Sequence, residues 1–275
     1  MWFLWLPGLA ALLYGAIYYV VGRMVYRPVR YPGGWWQRQA QLGAQDVWFP
    51  TSDGLRLHAW FVEAPGSRVV TLYLKGNGTN LTNRPGHLRE IPAAGSSVLL
   101  LDYRGYGKSQ GRPTERGLYL DADAGYDHLI GMGYEPGQIV VLGESLGSAV
   151  AVDLARRRPC AGLILECPIT SLSDMAGTVV PVVGRLFASG FNNRRKIAGV
   201  HAPLLIIHGD QDRIAPYAMG RALFEAANEP KSLWTVEGAT HIDIVDVAGP
   251  LYRARLQAFY ESVVPLAGGG AATVA

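Results

Sequence analysis

Val140-Val141-Leu142-Gly143-Glu144-Ser145-Leu146-Gly147-Ser148 is the stretch whose reading decides the fold. Its first residues are apolar and rich in β-branched side chains, as in a buried strand, and those after Ser145 read as helix. Gly143-x-Ser145-x-Gly147 stands at the junction. In that strand–turn–helix setting the pattern presents a nucleophilic serine at the tip of a sharp turn. The glycines have a steric reason: the serine sits on a strained turn, and positions two residues to either side come close to neighbouring backbone. The competing reading is an ordinary strand-to-helix turn.

Working outward, apolar strands alternate with helical patterns. Asp46–Phe49 and Leu55–Glu63 read as an antiparallel pair around Ser52-Asp53-Gly54, with Arg56, His58 and Trp60 on a half-exposed face. Further strands are expected at Val69–Lys75, Ser97–Leu101, Ile139–Leu142, Gly162–Glu166, Leu204–His208 and Leu233–Val236. Helices are expected before Ala94 and over Gly117–Met132, Leu146–Arg157, Tyr217–Ala227 and Ile244–Val264. This order predicts a mostly parallel, eight-stranded α/β sheet covered by helices on both faces. The short span between Cys167 and Pro203 leaves room for only a small cap.

The chain has 275 residues, of which 49% are hydrophobic and 17% charged, enough for one α/β domain with a large core. A formal charge of +3 gives no reason to expect a nucleic-acid partner. Cys160 and Cys167 flank a strand. Across it their Cα atoms would stand about 23 Å apart, and a disulfide needs about 7 Å or less.

Trp2–Gly22 carries no charged residue. As a helix it would be about 31 Å long, matching a hydrocarbon core of about 30 Å. Tryptophans and tyrosines mark its two ends, and Arg23, Arg27 and Arg30 follow it. A cleaved signal peptide would carry its positive charge before the apolar run. The expectation is a single-pass membrane anchor over residues 1–30, with the rest of the chain on the cytoplasmic side. Residues 31–45 read as a connector whose Trp35 and Trp36 either sit among lipid headgroups or pack on the domain. The catalytic domain spans 46–266, and 267–275 is a flexible tail of small residues.

A serine hydroxyl needs a base to take its proton and a carboxylate to orient that base. Downstream of Ser145, His241 lies in the loop after the last strand, while His58, His87, His128, His201 and His208 lie elsewhere. Asp210 and Asp212 both follow the preceding strand, and Asp212 sits farther into the loop, where it reaches back toward His241. The oxyanion of an acyl intermediate needs backbone donors; the N–H of Leu146 at a helix start and that of Asn77 between Gly76 and Gly78 are the candidates. Gly107-Lys108-Ser109 ends like a phosphate-binding loop, but Asp102 stands where that motif requires glycine. No cofactor motif and no metal-ligand spacing is found in the sequence.

Together, Gly76-Asn77, Asp102-Tyr103-Arg104-Gly105-Tyr106-Gly107-Lys108-Ser109, the Ser145 motif, His208-Gly209-Asp210-Gln211-Asp212 and Gly238-Ala239-Thr240-His241 resemble the α/β-hydrolase superfamily. The likeness is to its small membrane-anchored branch of serine aminopeptidase-like hydrolases, over residues 46–264. It implies an α/β-hydrolase fold with a small or absent cap and a Ser145–His241–Asp212 triad. It gives Tyr103 and Arg104 no catalytic role. The superfamily usually has His-Gly where this chain has Lys75-Gly76. The implied activity is hydrolysis of carboxylic esters or thioesters on a small or lipid-like acyl substrate. A peptidase or amidase on the same site, and a catalytically silent membrane-tethered scaffold, are the alternatives.

Overall fold

The apolar runs become the strands of one sheet. A computed structural model of the chain describes residues 25–179 and 189–264, together with Gly8. The strands are β1 (Gln45–Pro50), β2 (Arg56–Val62), β3 (Val69–Leu74), β4 (Ser96–Asp102), β5 (Ile139–Glu144), β6 (Gly162–Glu166), β7 (Leu204–Gly209) and β8 (Lys231–Val236). They form an eight-stranded sheet in the order β8-β7-β6-β5-β3-β4-β2-β1. β2 pairs antiparallel with both β1 and β4; the other pairs are parallel. Most of the expected anchor, and the expected tail at 267–275, lie outside the described residues. Among the described residues no helix is long and apolar enough to cross a membrane.

Each inner strand feeds two cores, because successive side chains point to opposite faces. On one face Leu72, Leu74, Val141, Leu163, Leu165 and Ile206 pack against α2 (Glu115–Gly131), α3 (Leu146–Arg157) and α4 (Tyr217–Ala226). On the other, Tyr73, Leu100, Leu142 and Ile164 meet α1 (Pro85–Ala93), α5 (Ile244–Ala248) and α6 (Pro250–Val263). The strands read as continuous apolar runs because both faces are covered.

Two local expectations are corrected. His58 and Trp60 are fully buried, so only Arg56, at the strand's start, is open to solvent on the face of β2 expected to be exposed. The connector folds over it: the Trp36 ring lies 5.9 Å from Trp60 and 5.7 Å from His58. Asp46 Oδ1 meets one ring nitrogen of each, 2.6 Å from His58 Nε2 and 3.0 Å from Trp60 Nε1. Trp35 remains half exposed, so the two connector tryptophans divide between packing and solvent. The single helix expected over Ile244–Val264 is two helices, α5 and α6. Gly249, at φ 53°, turns the chain between them, and Pro250 begins the second. The expected cap region contributes the short helices Leu172–Val179 and Asn193–Lys196.

The chain order along the sheet reverses at β3, which lies between β4 and β5. Loops leaving the carboxyl ends of parallel strands diverge at such a point and leave a crevice. Ser145 leaves β5 there, next to the Gly76-Asn77 loop leaving β3.

The elbow glycines are required by contact. A Cβ on Gly147 would lie 1.9 Å from the Leu74 carbonyl oxygen, and one on Gly143 would lie 2.6 Å from Cβ of Ala151. Backbone leaves nowhere for either to go. Gly147→Ala is expected to destabilise the fold by about 3 kcal/mol or more. Gly131, near the end of α2, has open space where its Cβ would stand. Gly131→Ala is expected to stabilise by about 0.5–1 kcal/mol. Urea unfolding midpoints of the two variants measure both effects, and equal midpoints would contradict this account of the elbow.

Candidate active site

Ser145 sits between β5 and α3 with φ 52° and ψ −117°, a strained conformation for a residue with a side chain. Its N–H donates to the Glu166 carbonyl at 2.9 Å, and its carbonyl accepts from the Ser148 N–H at 2.9 Å. The turn is thus held from both sides.

The expected partners converge on it. Ser145 Oγ lies 2.9 Å from His241 Nε2, and His241 Nδ1 lies 2.7 Å from Asp212 Oδ2. Asp212 is supported in turn. Its Oδ1 accepts from the N–H groups of Ile214 (2.8 Å) and Ala215 (2.9 Å). His208 Nε2 lies 3.3 Å from Oδ2 and 2.8 Å from the Ala215 carbonyl, so this histidine packs behind the acid. Burial pushes the Asp212 carboxyl up, but hydrogen bonds from His208 and His241 outweigh it and hold the group well below the usual carboxylate range. Asp210 does a different job: its Oδ1 accepts from Gly238 N–H at 2.8 Å and ties down the loop that carries His241. An alcohol, an imidazole and an ionised carboxylate in this series can move one proton off the alcohol and return it to a leaving group.

Leu146 begins α3, as expected. Gly76 lies against the serine: a Cβ built on it would be 3.4 Å from Ser145 Cβ. Asn77 Nδ2 donates to the Val25 carbonyl at 2.7 Å, and the Asn77 carbonyl accepts from the Tyr106 hydroxyl at 2.8 Å.

Sequence reasoning missed a set of buried charges around the elbow. Glu144, inside the motif, receives Arg84 through two contacts, Nε to Oε2 at 2.6 Å and Nη2 to Oε1 at 2.7 Å, and also the Tyr73 hydroxyl at 2.6 Å. Burial raises the Glu144 carboxyl, and the Arg84 charge and hydrogen bonds more than reverse this, holding it well below its ordinary range. Glu166 is likewise engaged by His87 Nε2 at 2.9 Å and by the Tyr252 hydroxyl at 2.8 Å. The charged residues were visible in the sequence, but their partners lie in distant segments. Lys75 is fully buried, its Nζ 3.7 Å from Asp102 Oδ1 and 3.8 Å from the Tyr106 ring centroid. Burial pulls the Lys75 ammonium down, to about 8, and Asp102 offsets this in part. Burial pushes Asp102 up, to about 6, against the pull of Lys75. Arg104 bonds Asp53 and Asp121, a role in holding loops.

Cys167, Asp212 and His241 place potential metal-donor atoms within 4.8 Å of one another. The linear sequence concealed this set because separate loops supply its members. Burial pushes the Cys167 thiol far up, and a protonated thiol is a poor ligand. Asp212 is already committed to two backbone N–H groups and His241. Cys160 and Cys167 are both free thiols.

With this geometry in place, the comparisons define the class. A family model described as "Serine aminopeptidase, S33" matches residues 86–196. An uncharacterized protein of Mycobacterium tuberculosis strain H37Rv is 41% identical over 72% of this chain and 73% of its own length. Alpha/beta hydrolase domain-containing protein 17C of Homo sapiens is 35% identical over 84% of this chain and 70% of its own length. Among solved structures, an esterase of Pyrococcus furiosus superposes with a TM-score of 0.73 at 21% identity, covering 87% of this chain and 98% of the esterase. A puromycin-hydrolyzing peptidase of M. tuberculosis superposes with a TM-score of 0.67 at 16% identity, over 81% of this chain and 39% of the peptidase. The chain belongs to the α/β-hydrolase superfamily and is an enzyme of hydrolase type.

Two outcomes test the buried charges. Lys75→Met and Asp102→Asn each leave a buried charge without its partner, so each is expected to cost about 3–5 kcal/mol. The double variant should cost less than the sum; simple additivity in unfolding free energy would show that the two do not interact. Glu144→Gln tests the pH dependence. A carboxyl depressed in the folded state contributes stability above its unfolded value of about 4. That contribution is lost as pH falls toward the folded value. The melting-temperature gap between wild type and Glu144→Gln should be widest near neutral pH and narrow in acid below about pH 4; a gap that widens in acid would contradict the pairing.

Proposed function

We propose that this protein is a membrane-tethered serine hydrolase that cleaves carboxylic ester or thioester bonds through an acyl-enzyme. The observation that carries this reading is the unbroken hydrogen-bonded series from Ser145 through His241 to Asp212. Ser145 Oγ attacks the acyl carbon while His241 Nε2 takes its proton. Asp212 holds the ring in the required tautomer and stabilises the imidazolium. The N–H groups of Leu146 and Asn77 receive the oxyanion. As the intermediate collapses, His241 protonates the departing alcohol or thiol. Water, deprotonated by His241, then frees the acid and restores Ser145.

Three features support this reading. Ile214 and Ile242, which follow Asp212 and His241, are 52% and 86% exposed and give the site an apolar rim. The name of the Pyrococcus furiosus structure, an esterase, points the same way. The uncharged run Trp2–Gly22 fits a bilayer-spanning helix, and the arginines after it favour a cytoplasmic catalytic domain.

The description of the family model and the peptidase neighbour favour a second reading, amide hydrolysis. An aminopeptidase needs a free carboxylate for the substrate's amino terminus. Glu144, inside the elbow motif, and Glu166, beside it on the neighbouring strand, are both engaged, by Arg84 and Tyr73 and by His87 and Tyr252. That favours ester or thioester cleavage.

The expected result is labelling by a fluorophosphonate probe that Ser145→Ala abolishes. Turnover of p-nitrophenyl esters should fall by roughly 10⁶-fold in Ser145→Ala and by about 10⁴-fold in Asp212→Asn. Labelling that survives the serine substitution would sink the mechanism. Aminoacyl amides turned over faster than acyl esters and thioesters would select the second reading.

A further inference from the structure

The segment that leads in from the apolar run is built against the loop that carries Asn77. Val25 follows that run after Arg23 and Met24. Its carbonyl accepts from Asn77 Nδ2 at 2.7 Å. The Arg27 N–H donates to the Asn77 carbonyl at 3.4 Å, and the Tyr106 hydroxyl donates to the same oxygen at 2.8 Å. Arg27–Pro28 then runs as a parallel strand beside Gly78–Thr79, and the Val29 N–H donates to the Thr79 carbonyl at 3.4 Å. Past it, the Gly107 N–H donates to the Val29 carbonyl at 3.0 Å, and the Tyr31 N–H donates to the Gly107 carbonyl at 2.9 Å.

The loop needs such support. Gly76 and Gly78 flank Asn77 and leave its backbone with wide conformational freedom. Thr79 has φ 62°, a left-handed conformation for a branched residue. The lead-in segment supplies the neighbouring strand that the loop otherwise lacks. Both the side chain and the carbonyl of Asn77 are held by groups outside the loop; these contacts anchor its side chain and the peptide plane that follows it, and so restrict the rotations next to its N–H.

From this arrangement we infer that residues 25–31, with the Tyr106 hydroxyl, are a positioning clamp that holds the Asn77 N–H for the oxyanion. The inference rests on the proposed serine-hydrolase reading. It makes the lead-in segment a working part of the site as well as a tether. A clamp that acts on an oxyanion donor changes kcat more than KM, since the donor is used mainly in the transition state.

The test uses the full chain in detergent. Arg27→Pro removes the N–H that reaches Asn77, and Arg27→Ala retains it. Tyr106→Phe removes the hydroxyl and keeps the ring that packs on Lys75. With a p-nitrophenyl ester, Arg27→Pro and Tyr106→Phe are each expected to lower kcat about 10- to 100-fold, with KM within about twofold. Arg27→Ala, which keeps that N–H, should lower kcat less than Arg27→Pro. A trifluoromethyl ketone, whose serine adduct carries the oxyanion, should lose affinity in parallel with kcat. If Arg27→Pro fails to fold, Tyr106→Phe carries the test. Folded Tyr106→Phe with wild-type kcat and ketone affinity would overturn the clamp while Ser145→Ala still shows a serine hydrolase. A wild-type chain with no turnover and no probe labelling would instead overturn the reading beneath it.

Discussion

The constraint on which the site rests is the approach of Gly147 to the Leu74 carbonyl, where no side chain fits. This contact locks the first turn of α3 onto the end of β3. Leu74 is also in register with Gly143 across the β3–β5 pair. The end of one strand is therefore bound to both sides of the elbow on its neighbour. Ser145 is caught between these two fixed points and adopts its strained backbone there. Gly76, two residues beyond Leu74, is brought against the serine by the same geometry. The position of the nucleophile relative to the loop opposite is thus set by backbone packing, which no rotamer change can relax.

Around this rigid point the protein buries charge. Glu144 and Glu166 lie in register on neighbouring strands at the serine's turn. Left unpaired, two buried carboxylates so placed would repel each other and resist desolvation. Arg84 and Tyr73 engage one; His87 and Tyr252 engage the other. These partners come from β3, from α1 and the residue that caps its start, and from α6, so helices packed on one face of the sheet are tied to the elbow by polar contacts. Lys75 and Asp102 form a less well satisfied pair beneath the loop, with Nζ lacking a hydrogen-bond acceptor among the described residues. Charge buried in this way contributes little net stability, because desolvation offsets most of the Coulomb attraction.

Much of this was legible in the amino-acid sequence. The elbow could be read because its requirements are local: an apolar strand, small residues two positions on either side of a serine, and a helix. The order of strand ends then pointed to Asp212 and His241, and the structure brings both within hydrogen-bond reach of the series. Other features were misread for identifiable reasons. The alternation over β2 described one exposed face, yet a connector distant in sequence covers it with Trp36. The helical period from Ile244 onward ran through Gly249-Pro250, where a positive-φ turn interrupts it. Glu144, Arg84, Glu166 and His87 are ordinary charged residues until their partners are known.

By itself, then, the sequence determined the succession of strands and helices, the turn that carries Ser145, and the residue types able to act with it. Periodicity and steric demand are properties of neighbours along the chain, so they survive in a linear reading. Only the tertiary structure decided which buried carboxylate meets which cation, that Asp210 ties down the loop carrying His241, and that residues 25–31 lie beside the Asn77 loop. Those outcomes depend on separations of a few ångströms between segments far apart in the chain, and such separations are fixed only when the two cores close on either side of the sheet.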